Sequence, residues 1–134
     1  MADARSPADR PLSPHLQVYR LTLTFVMSGF HRVTGAVLYF GMLIPAAWLL
    51  AAAAGPDWYA FVNGLLGTYL GRLVLFGYTW GLIHHMLGGV RHLIWDTGRG
   101  FELASVELLA RATIIGSIAL TAAVWLAAYG LGGL

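Results

Sequence analysis

The chain has no cysteine and no lysine among its 134 residues. Without thiols it can form neither a disulfide nor a thiolate-ligated iron–sulfur cluster, and it has no C-x-x-C-H motif for covalent attachment of haem. Any redox centre that it holds must therefore be bound non-covalently.

All eight basic residues are arginine. They are scattered along the chain rather than gathered in one patch, so the pI of about 9.3 does not indicate nucleic-acid binding.

Charged residues are few as well. They make up 10% of the chain, against 58% hydrophobic residues, and the mean hydropathy is +0.70. A water-soluble domain contains roughly a quarter charged residues. The composition therefore predicts an integral membrane protein.

Three long stretches lack Asp, Glu, Lys and Arg, namely 33–54, 73–90 and 112–134. Since about 20 helical residues cross a bilayer core of about 30 Å, each stretch predicts one transmembrane helix. We expect an all-α integral membrane protein with helices at about 23–54, 65–96 and 108–133. Residues 23–134 would form a single three-helix domain, preceded by an N-terminal arm at 1–22.

Arginines predict the orientation of the helices. They cluster before the first span and around the second loop, while the first loop contains only Arg72 and the C-terminus none. By the positive-inside rule, the N-terminus and the second loop should be cytoplasmic.

Pro45 lies within the first span and should kink it. The sequence GPDWY at 55–59 combines a turn signal with interfacial aromatics, as expected where the chain reverses at the far membrane surface.

One helical stripe of the second span consists of Gly77, Gly81, His85 and Gly89, spaced four residues apart. Small residues at this spacing can simply allow helices to pack closely. Alternatively, they leave room for a flat macrocycle whose iron is held by His85. An ionisable side chain inside a membrane favours the functional interpretation.

The depth of His85 favours a haem site on the cytoplasmic side. At about 1.5 Å per residue, His85 lies roughly 9 Å along the helix from Arg91 and roughly 20 Å from Arg72. A haem bound to His85 could turn its propionates toward the cations at the cytoplasmic boundary, which are Arg91, His92, His31 and Arg32. Arg91 and His92 could equally be boundary residues that orient the helix.

His84 points about 100° away from His85 on the same helix and cannot ligate the opposite haem face. We expect it to pack or hydrogen-bond against a partner helix, although a register shift of one residue would exchange the two roles. A sixth iron ligand would have to come from another chain.

On the first helix, Ser28 and Arg32 lie one turn apart. Arg32 could be a boundary anchor, or the pair could hydrogen-bond a carbonyl oxygen such as that of a quinone.

Three segments resemble the cytochrome b membrane-anchor subunits of succinate dehydrogenase, respiratory complex II. They are RPLSPHLQ at 10–17, Ser28 with HRVTG at 31–35, and residues 85–96, with His85 to Gly89, Arg91, His92 and Asp96. All three occur in the expected order on the arm and the first two spans. The third span matches only in being hydrophobic.

The resemblance implies that three transmembrane helices form half of a haem-binding bundle, completed by a second small anchor subunit that supplies the other haem ligand. His85 would be an axial ligand of haem b and the metal ligand that this chain supplies. His31, Arg32, Arg91 and His92 would complete the cofactor site, and Ser28 and Arg32 would bind ubiquinone. Further partners would be a flavoprotein and an iron–sulfur protein, with no catalytic residue in this chain itself. The location implied is a bacterial inner membrane, with the C-terminus periplasmic.

Two alternative functions remain at this point. One is a haem-binding anchor of a fumarate reductase or another quinone-linked respiratory complex. The other is a purely structural anchor that binds neither haem nor quinone. A transporter is disfavoured because the spans contain no carboxylate that could couple transport.

Overall fold

A computed structural model describes residues 14–132 of the chain, so residues 1–13 of the arm and residues 133–134 lie outside the described residues. A short 3-10 helix at His15–Val18 precedes five α-helices. These are α1 (Leu23–Gly41), α2 (Leu43–Ala54), α3 (Pro56–Leu66), α4 (Tyr69–Asp96) and α5 (Leu103–Gly130). Three helical segments are long and apolar enough to cross a membrane: Leu23–Ala54, Tyr69–Asp96 and Leu103–Gly130.

The first span is interrupted at Met42, between α1 and α2. Pro45 has no N–H to donate to the carbonyl of Gly41, and its ring crowds the preceding turn. The helical hydrogen bonding resumes with Ala46, whose N–H donates to the carbonyl oxygen of Met42 at 3.2 Å. The interruption therefore lies where the kink was expected.

The second span begins later than the sequence suggested. α4 starts at Tyr69 because Thr68 caps it, with its hydroxyl accepting a hydrogen bond from the N–H of Gly71 at 3.1 Å. The residues before it form a separate helix, α3, where the sequence predicted only a turn with interfacial aromatics. Gly55 makes the turn into α3 with φ 124°, a conformation that favours glycine, and Pro56 opens the helix.

The third helix runs from Leu103 to Gly130, whereas the sequence suggested about 108–133. A helix of 28 residues is about 42 Å long, which exceeds a hydrocarbon core of about 30 Å. The first turns of α5, which include exposed charged residues such as Glu107 and Arg111, therefore extend beyond the apolar core.

α4 lies at the centre of the bundle, with α1 and α5 packed against it and α3 covering its N-terminal end. Few side chains are buried, and many of those are polar: Thr34, His84, Arg91, Thr113, Ser117 and Thr121. Large apolar side chains point outward, such as Leu43 at 68% exposure and Leu126 at 73%. This distribution suits a bundle surrounded by lipid and other helices rather than water.

Candidate functional site

His85 lies at the α1–α4 interface, and its Nδ1 atom contacts α1. Nδ1 is 3.1 Å from the carbonyl oxygen of His31 and 3.3 Å from the hydroxyl oxygen of Thr34. A carbonyl oxygen can only accept a hydrogen bond, so Nδ1 carries the proton. The Thr34 hydroxyl donates to the carbonyl of Phe30 at 2.8 Å and can therefore accept from the same Nδ1–H. The lone pair of the neutral imidazole is consequently on Nε2, the arrangement typical of a metal-binding histidine.

The Nε2 atom of His85 has no hydrogen-bond partner within residues 14–132, and it is not among their buried, unpartnered atoms. The side chain is half-buried. A Cβ added at Gly77, Gly81 or Gly89 would meet no heavy atom within 4 Å. The three glycine positions of the stripe are therefore open, and Nε2 of His85 is free to bind a ligand.

His31 stacks directly on His85. Their ring centroids are 4.0 Å apart and the ring planes differ by 2°. The His31 ring also lies so close to Gly88 that a Cβ at position 88 would collide with it. Gly88 thus allows α1 and α4 to approach closely, which is the packing role of a small residue.

Five residues, which we call the polar cluster, come together at the N-terminal end of the first span: Ser28, His31, Arg32, Arg91 and His92. They line one cavity of about 180 Å³, named here the cluster cavity, whose remaining lining residues are Thr24, Trp95 and Val106. No carboxylate of residues 14–132 lines this cavity, so its guanidinium groups favour an anionic or carbonyl oxygen.

Arg91 is buried, at 5% exposure, rather than extended to the membrane surface. Its guanidinium carbon lies 5.2 Å from the centre of the Trp95 ring, within range of a cation–π contact. Its Nε is buried and has no hydrogen-bond partner among residues 14–132. A donor left unpaired at the wall of a cavity is suited to bind an acceptor oxygen of a ligand.

His84 faces the other side of α4, toward α5. It is buried, at 2% exposure, and its Nδ1 is 3.2 Å from the hydroxyl oxygen of Ser117. The rings of Phe30 and Trp80 lie beside it. The structure confirms that His84 packs and hydrogen-bonds against a neighbouring helix, as expected from its position one residue before His85.

Sequence reasoning missed several residues of the site. The sequence identified Thr34 only as part of the motif at 31–35. Its spacing of three from His31 places both residues on the same face of α1, which packs against His85 of α4. Trp95 lies one turn beyond Arg91 and could have been found by the same spacing. Val106 comes from α5 and carries no sequence signal, because its position depends on how α5 packs.

Comparison with known proteins places this geometry in context. Residues 6–124 match the model of a protein family described as the succinate dehydrogenase/fumarate reductase transmembrane subunit. Among individual proteins, the chain is 41% identical over 120 residues to a succinate dehydrogenase cytochrome b556 subunit of Paracoccus denitrificans, covering 90% of this chain and 92% of that protein.

Two further relatives extend the comparison. A cytochrome b556 subunit of Rickettsia felis is 35% identical over 116 residues, covering 87% of this chain and 90% of the relative. The mitochondrial cytochrome b560 subunit of Mus musculus is 36% identical over 110 residues, covering 81% of this chain and 65% of the mouse protein.

Proposed function

Because the chain belongs to the family of succinate dehydrogenase/fumarate reductase transmembrane subunits, we propose that it holds one side of a haem b and part of a ubiquinone site. It is a multi-pass membrane anchor of the succinate:quinone oxidoreductase complex and is not catalytic by itself. Its partners in that complex are a flavoprotein and an iron–sulfur subunit, and a second small anchor subunit would supply the other haem ligand.

His85 is the proposed axial ligand of the haem iron. The observation that carries this proposal is the Nδ1–H hydrogen bond to the His31 carbonyl, which leaves the Nε2 lone pair free to bind a metal. When bound, a haem supplies a one-electron carrier. Arg91, His92, His31 and Arg32 line the neighbouring cluster cavity, where their side chains would bind the propionates and compensate their charge.

The proposed ubiquinone contacts are Ser28 and Arg32, which line the same cavity as the haem-side residues. The hydroxyl of Ser28 and the guanidinium of Arg32 can each donate a hydrogen bond to a quinone carbonyl oxygen. A guanidinium stabilises the negative charge that develops on this oxygen during reduction. The two residues would thus bind the quinone and favour its reduced form.

The proposed orientation places the arm (1–22) and the second loop in the cytoplasm of a bacterium, with the C-terminus in the periplasm. Arginines near the N-terminus and around the second loop support it. In this orientation the cluster cavity faces the same side as the flavoprotein and iron–sulfur subunits. Electrons from succinate would then reach a quinone bound near the membrane surface.

The adjacent histidines provide a matched test of the haem ligand. In the purified complex, His85→Ala should abolish or strongly shift the b-type absorbance in a reduced-minus-oxidised spectrum, because it removes the iron ligand. His84→Ala should retain that absorbance, since His84 bonds to Ser117. An unchanged spectrum in the His85→Ala complex would refute the assignment.

The quinone proposal is tested by comparing two electron acceptors. Arg32→Ala should lower succinate-dependent reduction of a ubiquinone analogue by about tenfold or more, the effect of losing one charge-assisted hydrogen bond. Succinate oxidation measured with a soluble dye should change little, because the dye takes electrons before the quinone site. Arg99→Ala, at an exposed loop position, serves as the control. Equal loss of both activities would instead make Arg32 an assembly residue.

A further inference from the structure

A second arginine whose buried Nε has no hydrogen-bond partner among residues 14–132 lies at the opposite end of the bundle from the polar cluster. There α2, α3 and the start of α4 enclose a cavity of about 440 Å³, here called the Arg72 cavity, whose lining includes Trp48, Tyr59, Asn63 and Arg72. None of these residues belongs to the haem or quinone site proposed above. The cavity therefore requires its own explanation.

The guanidinium of Arg72 is poorly satisfied by the protein. Its Nε is buried and has no hydrogen-bond partner within residues 14–132. One terminal nitrogen makes a long bond, 3.5 Å, to the hydroxyl of Tyr129, and the guanidinium carbon lies 5.9 Å from the centre of that ring, at the outer limit of a cation–π contact. In the described part of the chain, no carboxylate lies within ion-pair distance of Arg72. An uncompensated, partly buried guanidinium favours an anion with several acceptor oxygens.

The neighbours of Arg72 are typical of the membrane interface. The indole N–H of Trp48 donates to the carboxamide oxygen of Asn63 at 2.9 Å, which leaves the amide nitrogen of Asn63 available as a second donor. The rings of Trp48 and Tyr59 are 5.7 Å apart. Trp and Tyr are enriched at the depth of lipid headgroups. The Arg72 cavity thus lies where phosphate groups are present.

An apolar groove of about 260 Å³ continues from this cavity. It shares Trp48, Leu66 and Leu75 with the Arg72 cavity and adds Ile44, Pro45 and Tyr78. Ile44 and Pro45 lie about one helical turn before Trp48, and Tyr78 lies nearly two turns beyond Arg72. The groove therefore runs from the membrane surface toward the middle of the bilayer.

We propose that the Arg72 cavity and this groove form a phospholipid-binding site, in which Arg72 binds the phosphate and the groove holds the first part of an acyl chain. The order of a cationic end at the surface and an apolar end toward the bilayer centre matches a phospholipid in its own leaflet. A quinone has the same general shape, and its carbonyl oxygen can accept a hydrogen bond from a guanidinium, but its neutral head group leaves the charge of Arg72 uncompensated. The charge of Arg72 therefore favours the phospholipid.

The site can be tested on the assembled complex, purified in detergent and stripped of lipid. Native mass spectrometry would measure binding of dioleoylphosphatidylglycerol, of dioleoylglycerol as the phosphate-free control, and of inorganic phosphate as the chain-free control. We expect one tightly bound phosphatidylglycerol per copy of this chain, with at least about tenfold weaker binding of both controls. Equal binding of dioleoylglycerol would overturn the proposal, as would displacement of the phospholipid by a short-chain ubiquinone analogue.

Two variants locate the binding within the structure. Arg72→Gln should weaken phosphatidylglycerol binding by about tenfold, whereas Arg99→Gln, at the exposed second loop, should bind as the unmodified complex does. Leu75→Trp should also weaken binding, because the larger side chain fills the groove while Arg72 is kept. The mass of the complex reports whether each variant assembles. Unchanged affinity for phosphatidylglycerol in an assembled Arg72→Gln or Leu75→Trp complex would contradict the proposed site. If a variant does not assemble, the comparison of phosphatidylglycerol with dioleoylglycerol and phosphate on the unmodified complex still tests whether a phospholipid is bound.

Discussion

His84 and His85 are adjacent in sequence, but their imidazoles form hydrogen bonds with different helices. His84 bonds to Ser117 on α5, whereas His85 bonds to the His31 carbonyl on α1. A group that accepts a hydrogen bond from Nδ1–H fixes the proton on that nitrogen and leaves the Nε2 lone pair available for a ligand. Thr34 matters for the same reason, since its hydroxyl is a second acceptor for the Nδ1–H of His85.

A change at Thr34 should alter the haem without removing it. Thr34→Val keeps the shape of the side chain but removes one acceptor from the Nδ1–H, so the imidazole donates less electron density and the oxidised iron is less stabilised. We expect the haem midpoint potential to rise by about 20 to 60 mV, the equivalent of one neutral hydrogen bond for a one-electron couple. A redox titration of the purified complex, followed at the b-type absorbance, measures it.

Thr121→Val is the matched control for this titration. Thr121 is a buried threonine that bonds to its own helix through the carbonyl of Ser117, and it lies on α5. Its replacement should leave the potential unchanged. The proposed role of Thr34 is wrong if both variants shift the potential equally, or if neither does.

Each helix presents different chemistry to its neighbours. α4 turns Gly88 and His85 toward α1 and His84 toward α5, and its N-terminal end contributes Arg72 to the interface with α3. A rotation of α4 by one residue, about 100°, would exchange the two histidines. The His84–Ser117 contact is a buried polar bond between α4 and α5 that opposes such a rotation.

Loss of this interhelical bond should reduce stability while sparing the haem. Ser117→Ala leaves the buried Nδ1–H of His84 without its acceptor, which should destabilise the bundle by about 0.6 to 3 kcal/mol. The measurement is thermal unfolding of the purified complex followed by circular dichroism. Ser105→Ala, at the start of α5, removes a hydroxyl whose partner is Glu102 near the helix end, and its transition should not move. A transition that is equally unchanged for Ser117→Ala would show that the bond contributes nothing.

The described part of the chain does not enclose a hydrophobic core of its own. Among the described residues the buried apolar side chains are few: Met27, Ala51, Ile83 and Ala110. The outward-facing apolar side chains require lipid or other helices as their surroundings. The proposed haem site would be incomplete for a related reason, since a second ligand for the iron would have to come from another subunit.

The chain should therefore depend on a second anchor subunit. Without that subunit, we expect its level in the membrane and its b-type absorbance to fall severalfold, because neither the exposed helix faces nor the second haem ligand would be supplied. Immunoblots and difference spectra of membranes from cells lacking the second anchor gene would measure both. Normal accumulation of a haem-loaded chain under these conditions would contradict the proposal that the site is shared.

Hydropathy and helix length alone predicted a membrane protein with three spans, and the structure has three helical segments long and apolar enough to cross a membrane. These properties follow from hydropathy and from the fixed rise of a helix, which do not depend on neighbouring elements. The motifs also predicted that Ser28, His31, Arg32, Arg91 and His92 lie near one end of the spans, and all five line one cavity.

Only the tertiary structure decided which helix each histidine faces, which nitrogen of His85 is free, and that Val106 of α5 joins the cluster cavity. It also separated α3 from α4 and so placed Asn63 beside Arg72. These features depend on the rotation and contact of helices far apart in the chain. Hydropathy carries no information on rotation when apolar residues surround a helix on every side.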